Sequence, residues 1–155
     1  MSWIDEEFEA ERNRTVNAHW QREIELHRAK LITAKGRELW DILKAECRAR
    51  VDEFNAKAPG AARKVLIDVL SADRFGVRRE QKGEGSTRAE AMLQLDGYQI
   101  EIRHIAPAGL NYSKAESYLT FDCDGTDVFL KSAGARVTAE SAGRQVLEPV
   151  LFSPA

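Results

Sequence analysis

Residues 91–102 read Ala-Met-Leu-Gln-Leu-Asp-Gly-Tyr-Gln-Ile-Glu-Ile, with apolar and polar residues alternating on both sides of a central Asp-Gly pair. This alternation predicts two half-buried strands, one before the pair and one after it. Asp96-Gly97 predicts a tight hairpin turn, because Asp tolerates and Gly freely adopts the positive φ that a type I′ turn requires. A two-residue loop there would set Leu95 opposite Tyr98 and gather the apolar side chains on one face.

A second Asp-Gly pair, Asp124-Gly125, lies in similar surroundings. A two-residue loop at this pair would set Cys123 opposite Thr126 and Phe121 opposite Val128, which again leaves one face apolar. Two hairpins that sort their apolar residues in the same way indicate an antiparallel sheet.

Two more strands are predicted before these hairpins. Apolar residues alternate within residues 65–70, which predicts a strand, although residues 61–70 could instead form a short helix. Residues 75–80 predict another strand, and the polar residues 81–87 predict a mobile loop after it.

A third hairpin is predicted near the C-terminus, where residues 136–140 would pair with residues 145–151 through the loop 141–144. Pro149 in its second strand favours an edge position or a bulge, because proline cannot donate to the hydrogen-bond ladder. Short loops pair strands that are consecutive in the chain, so the sheet of about six to eight strands is predicted to be an antiparallel meander.

The first part of the chain has a helical composition. Residues 2–58 contain no Pro and a single Gly, Gly36, while Glu, Arg, Ala, Lys and Leu dominate. Ser2 can cap the start of this helix, and Pro59-Gly60 supplies a stop. Apolar residues spaced three or four apart form a stripe predicted to pack on the sheet: Trp40, Leu43, Cys47, Val51 and Phe54.

Upstream of Gly36 the amphipathic pattern is weaker. An unbroken helix over residues 1–58 would be about 80 Å long, more than twice the width of a domain of this size. It must break near Gly36, fold back as a helical hairpin, or project from the domain. A projecting helix would expose apolar side chains unless a second chain covered them. The residues predicted to bind a partner in this way are Trp3, Phe8, Val16 and Trp20.

These patterns together predict an α+β fold. A long N-terminal helix or helical hairpin, residues 1–58, precedes an antiparallel β domain, residues 59–155. The second half of the helical part is expected to cover one face of the sheet, so that the chain forms a single globular unit. No strict heptad pattern persists through the helical part, so a long two-stranded coiled coil is not favoured.

The composition excludes several classes of function. The formal net charge of −2 gives no general attraction for nucleic acid or for an anionic membrane, and neither is expected as a partner. No run of 18 apolar residues could cross a bilayer, and the acidic N-terminus does not resemble a signal peptide, so a cytoplasmic location is the default expectation. The two cysteines, Cys47 and Cys123, suggest neither a disulfide framework nor a metal site, and no cofactor is expected.

Residues 121–126 read Phe-Asp-Cys-Asp-Gly-Thr and carry the one catalytic motif that can be matched. This segment resembles the opening motif of the haloacid dehalogenase superfamily, in which an apolar strand ends in Asp-x-Asp-Gly-Thr. The resemblance implies Asp122 as nucleophile, Asp124 as general acid/base and magnesium between them. That family builds its site from a parallel α/β domain with further residues on later strands, whereas only 29 residues follow Thr126 here. A hairpin turn is the favoured interpretation.

Two other groups of residues invite a chemical interpretation. His19, Glu23 and His27 would share one helix face and could contact zinc, although a solvated face is the simpler explanation. A concentration of basic residues between positions 74 and 88 could contact an anion or an acidic partner, but this segment lacks the Gly-Lys-Ser/Thr ending of a phosphate loop. These basic residues are Arg74, Arg78, Arg79, Lys82 and Arg88.

The sequence favours a non-enzymatic function, an interaction or assembly module that oligomerises or binds a protein partner through its N-terminal helix. The alternative is a small-ligand binder whose curved sheet encloses an apolar pocket lined by Tyr98, Ile100, Phe121 and Val128. A metal-dependent phosphatase at Asp122 and Asp124 is the third hypothesis.

Overall fold

A computed structural model describes residues 2–58, 65–80, 88–108 and 111–152. The predicted mobile loop 81–87, the stop at Pro59-Gly60 and the first residues of the ambiguous segment 61–70 lie outside these ranges. The elements in chain order are α1 (Trp3–Lys57), β1 (Val65–Ser71), β2 (Arg74–Glu80), β3 (Arg88–Asp96), β4 (Gln99–Ala108), β5 (Asn111–Cys123), β6 (Val128–Ser132), β7 (Ala135–Val137) and α2 (Ala139–Leu151).

The seven strands form one open antiparallel sheet in which each strand pairs with its neighbours in sequence. The predicted α+β meander is therefore confirmed. The C-terminal half of α1 packs on β1, β5 and β6, and α2 packs on β2, β3 and β4, so both helices cover the same apolar face. The largest fully buried side chains in this layer are Trp40, Phe75, Leu43, Leu93, Ile100, Ile102 and Leu119.

Helix α1 passes through Gly36 without a break. Gly36 is buried against the sheet, and a Cβ atom at this position would lie 3.6 Å from the ring of Phe121, which is an ordinary van der Waals distance. Residues 65–71 form strand β1, which settles residues 65–70 of the ambiguous segment as strand. Of the three possibilities for the first part of the chain, the helix projects rather than breaking or folding back.

The hairpin at Asp96-Gly97 has the predicted faces but a different register. Leu95 pairs with Ile100, not with Tyr98, because the two loop residues are Gly97 and Tyr98. Gly97 has a φ of +55°, whereas Tyr98 does not have a positive φ, which is the pattern of a type II′ turn rather than type I′. The loop moves one residue along the chain, so each cross-strand partner changes by two residues and the side chains keep their face.

The hairpin at Asp124-Gly125 departs from the prediction in the same way. Cys123 pairs with Val128 and Phe121 pairs with Leu130, which leaves a four-residue loop instead of a two-residue one. The carboxylate of Asp124 causes the widening: its Oδ1 accepts from the backbone N–H of Thr126 at 3.2 Å and from that of Asp127 at 2.9 Å. Such bonds from an Asp side chain to backbone two or three residues ahead define a turn of their own.

The C-terminal hairpin prediction is wrong, because residues 139–151 form helix α2 and only residues 135–137 form a strand. Thr138 caps the helix by accepting from the N–H of Ser141 at 3.1 Å. The buried residues of α2 recur at helical rather than alternating intervals, and Pro149 lies within the helix. They are Ala142, Gly143, Val146, Leu147, Val150 and Leu151.

Strand β7 is instead joined to β6 by the two-residue turn Ala133-Gly134. Both residues have positive φ, +51° and +81°, which is the type I′ geometry predicted for the Asp-Gly pairs. Ala133 is the one non-glycine residue with positive φ in the described ranges. Its side chain gives no sequence signal for such a turn, which explains why this hairpin was missed.

Polar side chains attach α2 and α1 to the sheet. Arg79 is buried on the helix-covered face, and its Nη1 donates to the carbonyl of Leu151 at 2.8 Å. His104 lies 2.9 Å from the carbonyl of Val146 through its Nε2. Trp40 donates its indole N–H to the carbonyl of Ala72 at 2.9 Å, in the turn between β1 and β2. These bonds fix the two helices over the sheet.

Candidate interaction surface on the N-terminal arm

The first half of α1 extends beyond the folded domain. Every residue from Ser2 to Arg28 is exposed, and Ala29 is the first partly buried position. We call residues 3–28 the arm. At 1.5 Å per residue the arm is about 39 Å long. It is a continuous extension of the same helix that Trp40 anchors to the sheet.

The arm begins with a formed cap. Ser2 is extended, with φ −77° and ψ 157°, and its backbone carbonyl accepts from the N–H groups of Asp5 and Glu6 at 3.1 and 3.2 Å. The Ser2 hydroxyl also accepts from the Asp5 N–H at 3.4 Å. The cap satisfies backbone groups at the start of the helix, and the acidic first turn complements its dipole.

The arm ends where the helix meets the sheet. Arg28 forms an ion pair with Asp122, and Asp122 also accepts from the Nζ of Lys131 at 3.1 Å. One turn further on, Ile32 is buried, and Gly36 follows against Phe121. The junction is therefore held by both charge and packing, which fixes the direction in which the arm leaves the domain.

Large apolar side chains stay exposed along the whole arm. Trp3 is 73% exposed and Trp20 is 62% exposed. Such a density of exposed apolar residues on one element is unusual for a chain that remains monomeric. The exposed set is Trp3, Ile4, Phe8, Val16, Trp20, Ile24 and Leu26.

The helical repeat divides these side chains into separate groups. With about 100° per residue, Val16, Trp20 and Ile24 follow one stripe, whereas Phe8 stands about 120° from Trp20. Trp3 lies apart from both. The four residues predicted from sequence are thus all exposed but do not share one face. The prediction omitted Ile24, which the four-residue step from Trp20 identifies.

The stripe of Val16, Trp20 and Ile24 points away from the domain. On the same helical wheel the buried residues Trp40 and Cys47 lie about 180° from Trp20. The stripe is therefore not an extension of the surface that α1 uses against its own sheet. A partner could approach this side of the arm without meeting the sheet or α2.

The phosphatase-like motif forms part of a hairpin in this structure. Asp122 accepts from the N–H of Cys123 at 2.8 Å and holds Arg28 and Lys131. Hydrogen bonds from the backbone of Asp127 and Thr126 lower the pKa of Asp124 below its usual value. The carboxylate of Asp122, within β5, thus holds side chains of α1 and β6, and that of Asp124 forms the β5–β6 turn.

Those of the other sequence candidates that the structure describes do not gather into a site. Within the described ranges, no three His, Cys, Asp or Glu side chains are grouped as a metal ion would require. Among the basic candidates, Arg78 pairs with Asp68, Arg88 pairs with Glu90, and Arg79 is buried beneath α2. Lys82 lies outside the described residues.

The residues predicted to line a pocket on the curved sheet are divided between the packed core and the surface. Ile100 and Phe121 belong to the packed core beneath the helices, whereas Tyr98 is exposed at the β3–β4 turn. An open concavity of about 790 Å³ lies elsewhere, between α1 and α2, with Phe54, Leu147 and Phe152 among its lining residues. Charged side chains of both signs surround it.

We expect the two cysteines to differ in reactivity. Burial, with a smaller contribution from the charge of Glu46, raises the pKa of Cys47 to about 12. Because the thiolate is the reactive form, native Cys47 should react with iodoacetamide at least about a hundredfold more slowly than in the unfolded chain. Cys123 is only partly buried and should be modified first. Mass spectrometry of peptides after timed alkylation measures both rates, and equal labelling of the two native thiols would contradict the buried position of Cys47.

Comparison of the chain with protein-family models, with curated proteins and with solved structures gives no match. None of the helices in the described part of the chain is both long and apolar enough to span a bilayer. The function is therefore inferred from the geometry alone.

Proposed function

We propose that this protein is a non-enzymatic assembly module that associates with a second copy of itself through its N-terminal arm. The single observation that carries the proposal is the arm itself, a helix without local cover that bears Val16, Trp20 and Ile24 on the side facing away from the domain. Burial of such side chains favours association by the same hydrophobic effect that folds a core.

The alternatives have less support. A different protein could bind the same stripe instead of a second copy of this chain. The oligomeric state of the purified chain distinguishes these two possibilities. Ligand binding in the sheet would need Ile100 and Phe121 to leave a packed core. Phosphatase activity would need Asp122 and Asp124 to give up the ion pairs and loop hydrogen bonds that they make.

The proposal is tested by sedimentation of the full chain over a range of concentrations, from about 1 µM to about 300 µM, since a small helical interface is expected to be weak and reversible. The average mass should rise with concentration toward that of a dimer or higher oligomer. Trp20→Glu should weaken the association at least about tenfold, because a buried Trp in an interface is worth more than the corresponding 1.4 kcal/mol.

Ile42→Glu is the matched control. Ile42 lies on the same helix and is 51% exposed, but it stands on the half of α1 that packs against the sheet. This variant should associate as the unchanged chain does, and circular dichroism should show that both variants keep their helix. A monomer at every concentration would overturn the assembly proposal, and equal weakening by both substitutions would overturn the role of the arm.

A further inference from the structure

We infer that two arms pair with each other in antiparallel orientation, with Val16 of one copy against Trp20 of the second copy. This inference rests on the proposed function and adds the surface of the second copy that the arm contacts. The two other possibilities are a parallel pair of arms and an arm lying in the concavity between α1 and α2.

The distribution of charge along the arm selects the antiparallel pair. Residues 5–11 contain five acidic residues and no basic one, whereas residues 12–30 contain five basic and two acidic residues. The helix dipole accounts for acidic residues in the first turn only, so it explains Asp5 and Glu6 but not the length of the acidic segment. An antiparallel partner sets its basic segment beside the acidic one, whereas a parallel partner opposes like charges.

The outer face of the arm specifies one register. When Val16 lies opposite Trp20, residue numbers of facing positions add to 36, so Glu6 faces Lys30 and Glu9 faces His27. All of these residues lie within about 80° of Trp20 on the helical wheel. Glu6 and Glu9 are exposed in the single chain and form no ion pair in the described structure.

This register also places apolar residues where they can be covered. Two Val16 and two Trp20 side chains meet at the centre of the pair. The overlap of residues 5–31 is about 40 Å long and buries on the order of 800 Å² in total, which is the size of a weak, reversible interface. A short contact of this kind does not require the continuous heptads that the sequence lacks.

The concavity between α1 and α2 lacks this complementarity. Its rim carries four acidic and three basic side chains, so neither end of an incoming arm is preferred by charge. The rim residues also bond to one another, as in the pair of Arg50 with Glu53 at 2.5 Å and the pair of Arg144 with Glu148 at 2.8 Å. An arm that entered this concavity would have to compete with these pairs.

Cross-linking with a short bismaleimide tests the orientation and register in full-length chains. In a Cys123→Ser background, the Glu9→Cys chain mixed with the His27→Cys chain should give a covalent dimer in high yield. The Glu9→Cys chain alone and the His27→Cys chain alone should give little, because positions 9 and 27 face each other across the antiparallel pair. Buried Cys47 supplies the internal control, since it should not be cross-linked.

Charge exchange provides the second test by sedimentation. Glu6→Lys with Glu9→Lys should weaken the dimer about tenfold at low salt, and adding His27→Glu with Lys30→Glu to the same chain should restore it. The matched control is Glu7→Lys with Glu11→Lys, which makes the same change of charge on the opposite side of the arm and should leave the dissociation constant within about threefold. No restoration by the fourfold variant would count against antiparallel pairing.

The outcomes distinguish failure of this inference from failure of the proposed function. A dimer that cross-links at position 9 to position 9 indicates parallel arms and overturns the inference while the proposed function stands. A dimer without any arm cross-link indicates docking elsewhere on the second copy and also overturns it. A chain that stays monomeric in sedimentation overturns the proposed function and this inference together.

Discussion

Trp40→Ala is expected to lower the free energy of unfolding by about 3–5 kcal/mol, the usual cost of removing a fully buried large aromatic residue. Trp40 is 0% exposed, and its ring centroid lies 5.1 Å from that of Phe75. The substitution leaves a cavity and also removes the donor that binds the carbonyl of Ala72. Since a domain of this size is stable by about 5–15 kcal/mol, the loss is a large share of the total. Chemical denaturation followed by circular dichroism measures it.

Two further variants separate the contribution of the core from that of the arm, and the contribution of packing from that of the hydrogen bond. Trp20→Ala, on the exposed arm of the same helix, should change the stability by no more than about 0.5 kcal/mol when measured at a concentration where the chain is monomeric. Trp40→Phe keeps most of the packing but loses the indole N–H, so it should cost only about 0.5–1.5 kcal/mol, because the carbonyl of Ala72 still accepts from the Nη1 of Arg37 at 3.0 Å. A loss for Trp20→Ala as large as that for Trp40→Ala would contradict the separation of arm and core.

The faces of the central strands could be predicted from sequence, whereas their register could not. Alternation with a period of two assigns Leu93 and Ile100 to the same buried face whichever turn is used. The register depends on the turn, and there the decisive groups are the free φ of Gly97 and the carboxylate of Asp124. An Asp-Gly pair is compatible with several types of loop. The interactions that select one of them are seen only in the structure.

Helix α2 was missed because its pattern is ambiguous over a short window. Gly143 and Pro149 normally disfavour helix, and the apolar residues near the chain end fit an alternating pattern for a few positions. The cap at Thr138 and the burial of Val146 on the sheet side of the helix outweigh these local preferences. Tertiary packing thus decided an element whose local preferences pointed to a strand.

In the arm, by contrast, local sequence preferences and the observed secondary structure agree. Its helical state and its exposed apolar residues follow from composition, but sequence alone left open whether the helix breaks near Gly36. The answer depends on Phe121, a residue of β5 that is far away in the chain and packs against Gly36. The glycine that suggests a break is buried against this ring, and the packing of α1 on β5 outweighs its low helix propensity.

The end of α1 is held to the edge of the sheet by one side chain. The Nδ2 of Asn55 donates to the carbonyl of Val65 at 2.9 Å, and its Oδ1 accepts from the N–H of Val65 at 2.9 Å. Val65 starts β1, which is an edge strand. The side chain of Asn55 therefore bonds the backbone N–H and carbonyl of Val65 that a further strand would otherwise pair. Both bonds are partly buried, which makes their loss costly.

Asn55→Ala is therefore expected to lower the free energy of unfolding by about 2 kcal/mol, because it leaves a donor and an acceptor of Val65 without their partner at once. The same substitution at exposed Asn17 in the arm should change it by no more than about 0.5 kcal/mol. Amide hydrogen exchange gives a local readout, because the N–H of Val65 should exchange much faster in Asn55→Ala than in the unchanged chain. The exchange rate of the Ile102 N–H, in a central strand, should change only as much as the global free energy of unfolding requires. If the Val65 amide exchanges at the same rate in both chains, the side chain of Asn55 does not hold this edge, and a different contact must attach α1 to β1.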